Sequence, residues 1–111
     1  MKLKHEDYDQ VSVLTIRGEL TTDEVETLRK VALDRMEHNI RDFVLDISEM
    51  EFIDSQGLET LLWLQETCGE KLGQVRLAAP KQNVEKILEI TRLIARFDRH
   101  DDVESAMKSL R

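Results

Sequence analysis

The chain has one cysteine, one proline and four glycines in 111 residues, and only 5% of it is aromatic. A single thiol, Cys68, excludes an internal disulfide and leaves a thiolate metal site short of ligands. His5, His38 and His100 stand far apart with no i,i+4 pairing, so neither a metal nor any other cofactor is expected. No apolar run approaches the roughly 20 residues that span a bilayer. Met1 to Gln10 is charged and lacks an apolar centre, which reads as neither signal peptide nor anchor. Membrane insertion is therefore not expected, and the cytoplasm is the expected address. Basic residues are also short, 16 against 23 acidic, for a net charge of −7. Nucleic acid and anionic membrane surfaces would repel such a chain, so neither is expected as its main partner.

What remains is ordinary for a soluble globular protein: 41% apolar and 35% charged residues. The length suits one domain, residues 1–111, without repeats, linkers or low-complexity stretches. Leu3 to Tyr8 is weakly strand-like, and Val11 to Ile16 alternates as a strand that stops at Gly18. With Asp9-Gln10 between them, the two suggest an opening hairpin. Thr21 with Glu24 has capping-box spacing and predicts a helix start, with Val25, Leu28, Ala32 and Met36 on its inner face and Asn39 ending it. Phe43 to Ile47 reads as a central strand buried on both faces.

Ser48 to Ser55 reads as a connection pinned to the core by Phe52 and Ile53. A helix from about Gln56 should turn Leu58, Leu61, Leu62, Gln65 and Cys68 inward. Gln74 to Ala79 is a further strand, and Pro80 suits the first turn of the next helix. Arg92, Arg96 and Arg99 read as a solvated stripe complementing that helix's end. Asp101 with Glu104 marks a short final helix, and Phe97-Asp98 leaves room for a very short last strand. Strands separated by helices predict an α/β fold with parallel pairing, made mixed by the hairpin.

The most specific segment is Asp46-Ile-Ser-Glu-Met-Glu-Phe-Ile-Asp-Ser-Gln-Gly-Leu58, where a strand ends, a loop turns and Asp54-Ser55-Gln56-Gly57-Leu58 opens a helix. A serine there has its hydroxyl beside the unpaired N–H groups of the first turn, where an anion is favoured. Gly57 would keep the surface bare for another protein. A phosphate on Ser55 would add about −1.5 to −2 charges at pH 7. It would land beside Asp54, and near Asp46 if that side chain points to the same end of the sheet. Ser and Asp also serve as plain helix caps, so spacing alone favours a structural role. Trp63 lies away from the Leu61/Leu62 face and is either a partner contact or cover for a neighbouring helix.

The Asp46–Leu58 segment resembles the signature of STAS domains, found in bacterial anti-sigma factor antagonists and at the cytoplasmic end of sulfate transporters. The likeness extends to Gly18-Glu19-Leu20, Val75 to Pro80, Ile87 to Leu93 and Asp102 to Ala106. It implies a single STAS-like domain, a mixed sheet of four or five strands packed against about four helices. It further implies a switch. The unmodified domain would bind an anti-sigma factor that is also a serine kinase, phosphorylation of Ser55 would release it, and a serine phosphatase would reset the domain. Asp54, Gln56, Gly57, Leu58, Thr21, Asp46 and Trp63 are the expected contact residues, and no catalysis is implied.

Two positions depart from the antagonist pattern: Thr21 where many have Asp, and Gln56 where many have Ser or Thr. They keep open a constitutive interaction subunit of a stress-signalling or transporter assembly, never phosphorylated. A phosphoaspartate receiver built on Asp46 is excluded, because Ala79 rather than Lys precedes Pro80 and Glu6-Asp7 precede a hairpin. An enzyme finds no phosphate loop, nucleophile elbow or metal spacing.

Overall fold

The computed structural model describes residues 1–110; Arg111, the last residue of the expected domain, lies outside them. β1 (Lys2–Tyr8) and β2 (Val11–Leu20) form the antiparallel hairpin around Asp9-Gln10, with Asp9 at φ 54°. α1 (Val25–Glu37) follows, and the chain turns away from it at Asn39, whose φ of 68° is left-handed, as short polar side chains tolerate. β3 (Asp42–Asp46), β4 (Met50–Ile53), α2 (Ser55–Glu70), β5 (Val75–Ala78) and α3 (Gln82–Ile90) come next. A single 3-10 turn, β6 (Asp98–His100) and α4 (Val103–Lys108) close the described chain.

The sheet runs β1-β2-β3-β5-β6, and every pairing after the hairpin is parallel, as the alternation of strands and helices requires. A sixth strand was not foreseen. Met50–Ile53, expected as a connection, pairs in parallel with the far end of β2, at Gly18, Glu19 and Leu20, across a shift of register. Ile53 is core there, but Phe52 points outward and is 43% exposed, so it does not pin the segment as expected.

One face of the sheet, with Leu14, Ile16, Leu45 and Leu77, packs against α1, α2 and α3. The other, with Val13, Val44 and Ala78, meets only Ala106 of α4 and its apolar neighbours. Buried groups on α2 recur as Leu58, Leu61, Leu64 and Cys68, the i, i+3 and i+4 spacing of one helical stripe. Leu62 and Gln65, expected inside, flank that stripe half-buried. Burial pushes the Cys68 thiol up to about 12.

Three helix starts differ from expectation. α1 begins at Val25 with no side-chain cap; the Thr21 carbonyl instead accepts from the N–H of Glu24 and Val25. Pro80 precedes α3, whose cap position is Lys81. α4 is capped by Asp102, which accepts from the Ser105 N–H at 2.8 Å, rather than by Asp101. The three arginines make no stripe either. Arg92 is in the turn after α3, Arg96 in the 3-10 turn and Arg99 in β6, where it pairs with Glu85.

Candidate functional site

β2 and β4 run side by side and end together, Leu20 opposite Ile53. The Asp54 N–H donates to the Leu20 carbonyl at 3.2 Å, and the chain then turns into α2. Asp54 is the cap of that helix: its Oδ1 accepts from the Gly57 N–H at 2.8 Å. Its Oδ2 reaches across to β2's exit and accepts from the Thr22 N–H at 2.9 Å and the Thr22 hydroxyl at 3.2 Å. One carboxylate thus fastens a helix start to a strand end 32 residues away in sequence. Burial pushes this carboxyl up, but the N–H groups of Gly57, Thr22 and Gln56 and the Thr22 hydroxyl outweigh it and hold the group below its ordinary value. It is a fixed negative charge.

Ser55 is the first residue of α2 and is exposed. The capping duty of this junction belongs to Asp54, so the simplest structural use of a serine here is already taken. The same fact revises the expectation that first-turn N–H groups would hold a phosphate. Asp54 already engages those of Gly57 and Gln56, so a phosphate on Ser55 would stand next to an ionised carboxylate that occupies the positive end of the helix. Gln56 is exposed beside it.

The remaining expected contact residues are not gathered around Ser55. Gly57 and Leu58 are buried. A Cβ on Gly57 would lie 2.4 Å from the Leu20 carbonyl oxygen and 2.7 Å from Ile53 Cγ1, so this glycine allows α2 to approach the strand ends rather than baring a surface. Leu58 belongs to the core and offers a partner nothing. Thr21 is half-buried, its carbonyl used in the turn before α1; the neighbouring Thr22, which the sequence reading passed over, is the residue that touches Asp54.

Asp46 pairs with Thr15, five residues back along β2 from Leu20, and accepts from the Ser48 N–H at 3.1 Å. It lines a cleft with Val13, Val103 and Met107 on the α4 face, not the surface carrying Ser55. Trp63 is half-buried at the edge of the main core, with the Arg29 guanidinium of α1 5.2 Å from its ring centroid. Of its two readings, cover for the neighbouring helix is the one its packing fits. The exposed ring of Phe52, one strand position from Ile53, is the apolar group that sequence reasoning assigned to the core. Only its place on a strand of buried, exposed, exposed and buried residues reveals it.

A mixed sheet with three helices on one face and one on the other, and a capped helix starting where two parallel strands end, defines the architecture of a STAS-type α/β domain. The pattern of the STAS domain matches residues 2–106, and the chain belongs to that family. Among solved structures, it superposes on an anti-sigma factor antagonist from Mycobacterium paratuberculosis with a TM-score of 0.85 at 24% identity, covering 98% of this chain and 92% of that one. The phosphorylated form of the Bacillus cell fate determinant SpoIIAA gives a TM-score of 0.77 at 19% identity, over 99% and 100% of the two chains. A sulfate transporter family protein from Wolinella succinogenes gives 0.80 at 21%, over 93% and 86%. These likenesses establish the fold. Among the described residues no helix is long and apolar enough to cross a membrane, and no group of three His, Cys, Asp or Glu is arranged to hold a metal ion.

Proposed function

We propose that this domain is an anti-sigma factor antagonist in the cytoplasm, a binding switch that catalyses nothing itself. Its unmodified form captures an anti-sigma factor with serine kinase activity through the surface around Ser55, Gln56 and Phe52. Phosphorylation of Ser55 ends the complex, and a serine phosphatase restores it. One observation carries the reading: Ser55 is exposed at the mouth of α2 while Asp54 does the capping. A hydroxyl with no structural duty, beside a carboxylate kept ionised, is well placed for a modification read as charge. About −1.5 to −2 of added charge next to Asp54 repels an acidic partner surface. Coupling of about 1–3 kcal/mol, or 5- to 150-fold in affinity, is what such switches deliver.

The test is to incubate the protein with ATP and the host's candidate serine kinases and map modified residues by mass spectrometry. The reading expects phosphate on Ser55, none on Ser55→Ala, and loss of the kinase complex on modification. A folded Ser55→Ala that is still phosphorylated to the same extent, or a partner that binds both forms alike, overturns it. The second reading, a constitutive subunit of a stress-signalling or transporter assembly, is supported by Thr21 and Gln56 and by the likeness to the Wolinella succinogenes protein. It expects a stable partner and no phosphate on Ser55.

A further inference from the structure

The two edges of the sheet are not alike. β6 is three residues long, with Arg99 held by Glu85. β1 is seven residues long, contains no proline, and pairs with β2 from Lys2 to Tyr8 without a shift of register. Among the described residues no strand lies along its outer side. Edges of this kind are templates for a further strand.

The direction of β1's free backbone groups follows from its neighbours. The Gln10 carbonyl accepts from the Asp42 N–H, on the β3 side of β2. Backbone groups alternate sides along a strand, so those of Ser12 and Leu14 also face β3, and those of Val11, Val13, Thr15 and Arg17 face β1. Their partners Tyr8, Glu6, Lys4 and Lys2 are therefore bonded to β2. The N–H and C=O groups of Leu3, His5 and Asp7 point to the open edge.

We propose that this edge is a self-association surface, where two copies of the chain pair their β1 strands antiparallel about a two-fold axis at His5. The sequence Lys2-Leu-Lys-His-Glu-Asp-Tyr8 is basic before its centre and acidic after it. Antiparallel pairing about His5 sets Leu3 opposite Asp7 of the second copy and His5 opposite His5. These are the residues whose backbone groups are free, so the register completes the hydrogen-bond ladder. Between them fall the closer, non-hydrogen-bonded pairs. There Lys4 faces Glu6 of the second copy, twice by symmetry, and Lys2 faces Tyr8. Glu6 is already held on the open face by the Tyr8 hydroxyl at 2.8 Å. Asp7 of each copy is neutralised within its own chain by Arg35 at 2.6 Å.

Lysines on an edge strand ordinarily keep sheets apart. Here the order of charges reverses that effect for one partner only, a second copy in one register. An isologous pair of this kind uses up the β1 edge of both copies and so closes on itself rather than adding further strands there. It leaves the surface around Ser55 outside the paired strand, so the proposal stands or falls independently of the switch.

Sedimentation equilibrium in low salt tests it. The wild type should show a concentration-dependent dimer. Lys4→Glu and Glu6→Lys each place like charges opposite one another twice and should each weaken the dimer by about tenfold or more. Mixed one to one, the two variants regain opposite charges and should form a heterodimer. His5→Pro removes an outward N–H that the β1–β2 ladder does not use, and should give a folded monomer by circular dichroism. The charge variants decide the matter if that strand does not tolerate proline. A wild type that stays monomeric at every concentration, or charge variants that fail to pair when mixed, overturns the proposal.

Discussion

The starts of α2 and α4 use the same local chemistry for different ends. Each is capped by an aspartate whose Oδ1 accepts, at 2.8 Å, from the N–H three residues on: Asp54 from Gly57, Asp102 from Ser105. At α4 the arrangement is self-contained. The Ser105 hydroxyl donates back to Asp102 Oδ1 at 2.8 Å, and the residue after the cap, Val103, packs against the smaller core. At α2 the carboxylate has a second, distant job on Thr22, the third residue is a glycine wedged against Leu20, and the residue after the cap is an exposed serine. The serine of α4 is employed in the cap and the serine of α2 is idle. A serine near a helix start is thus judged by which residue caps and where the hydroxyl goes, not by the Asp-Ser pair itself.

That contrast can be broken by experiment. The largest effect is expected from Gly57→Ala, because the added methyl meets backbone oxygen at 2.4 Å and cannot be accommodated by a side-chain shift alone. A loss of about 3 kcal/mol in urea unfolding is expected; a loss below about 1 kcal/mol means α2 is not welded to the strand ends. Asp54→Ala should cost about 2 kcal/mol, since it removes a cap and a tie between β2 and α2. Asp102→Ala should cost less, and equal losses would mean that the Thr22 bonds contribute nothing.

Acid sharpens the comparison further. Asp54 titrates below its ordinary value, so its contribution is complete above the unfolded value of about 3.9 and is lost as pH falls through the folded one. Asp54→Asn should therefore flatten the fall in stability below about pH 4. An unchanged acid limb would show that the carboxylate charge is irrelevant. The smallest effects separate the two serines. Ser105→Ala should lose about 0.5–1 kcal/mol with its cap hydrogen bond, while Ser55→Ala should stay within about 0.5 kcal/mol of wild type. A larger loss at Ser55 would mean that its hydroxyl is structural after all.

The features legible in the sequence were those set by neighbours along the chain. Leu28, Ala32 and Met36 announced α1's buried face, and Phe43–Ile47 announced a strand covered on both sides. What escaped was decided by residues far away. Met50–Ile53 is only four residues long, with Glu51 inside it and Glu49 and Asp54 at its ends, too short to show an alternation, and it is a strand because the end of β2 lies open to it. The Thr21/Glu24 spacing pointed to a capping box, yet Thr22 turns instead to Asp54 and the helix starts later. At the site, Asp54 and Ser55 stand out through the resemblance of Asp46–Leu58 to the STAS signature, since their spacing alone favours a structural cap. Leu58 turns inward as its helical spacing indicates, but that Gly57 faces the core could not be read, because it depends on how closely α2 approaches Leu20.

The lone thiol has a use outside any biological role. Cys68 is sealed in the inner stripe of α2, and burial pushes the pKa of its thiol up to about 12. A thiol reagent at neutral pH therefore waits until that helix lifts from the sheet, and the speed of modification clocks the excursion. Nature has placed one silent reporter in the element that begins at Ser55, so the chain can be timed, with and without phosphate, without attaching a label elsewhere.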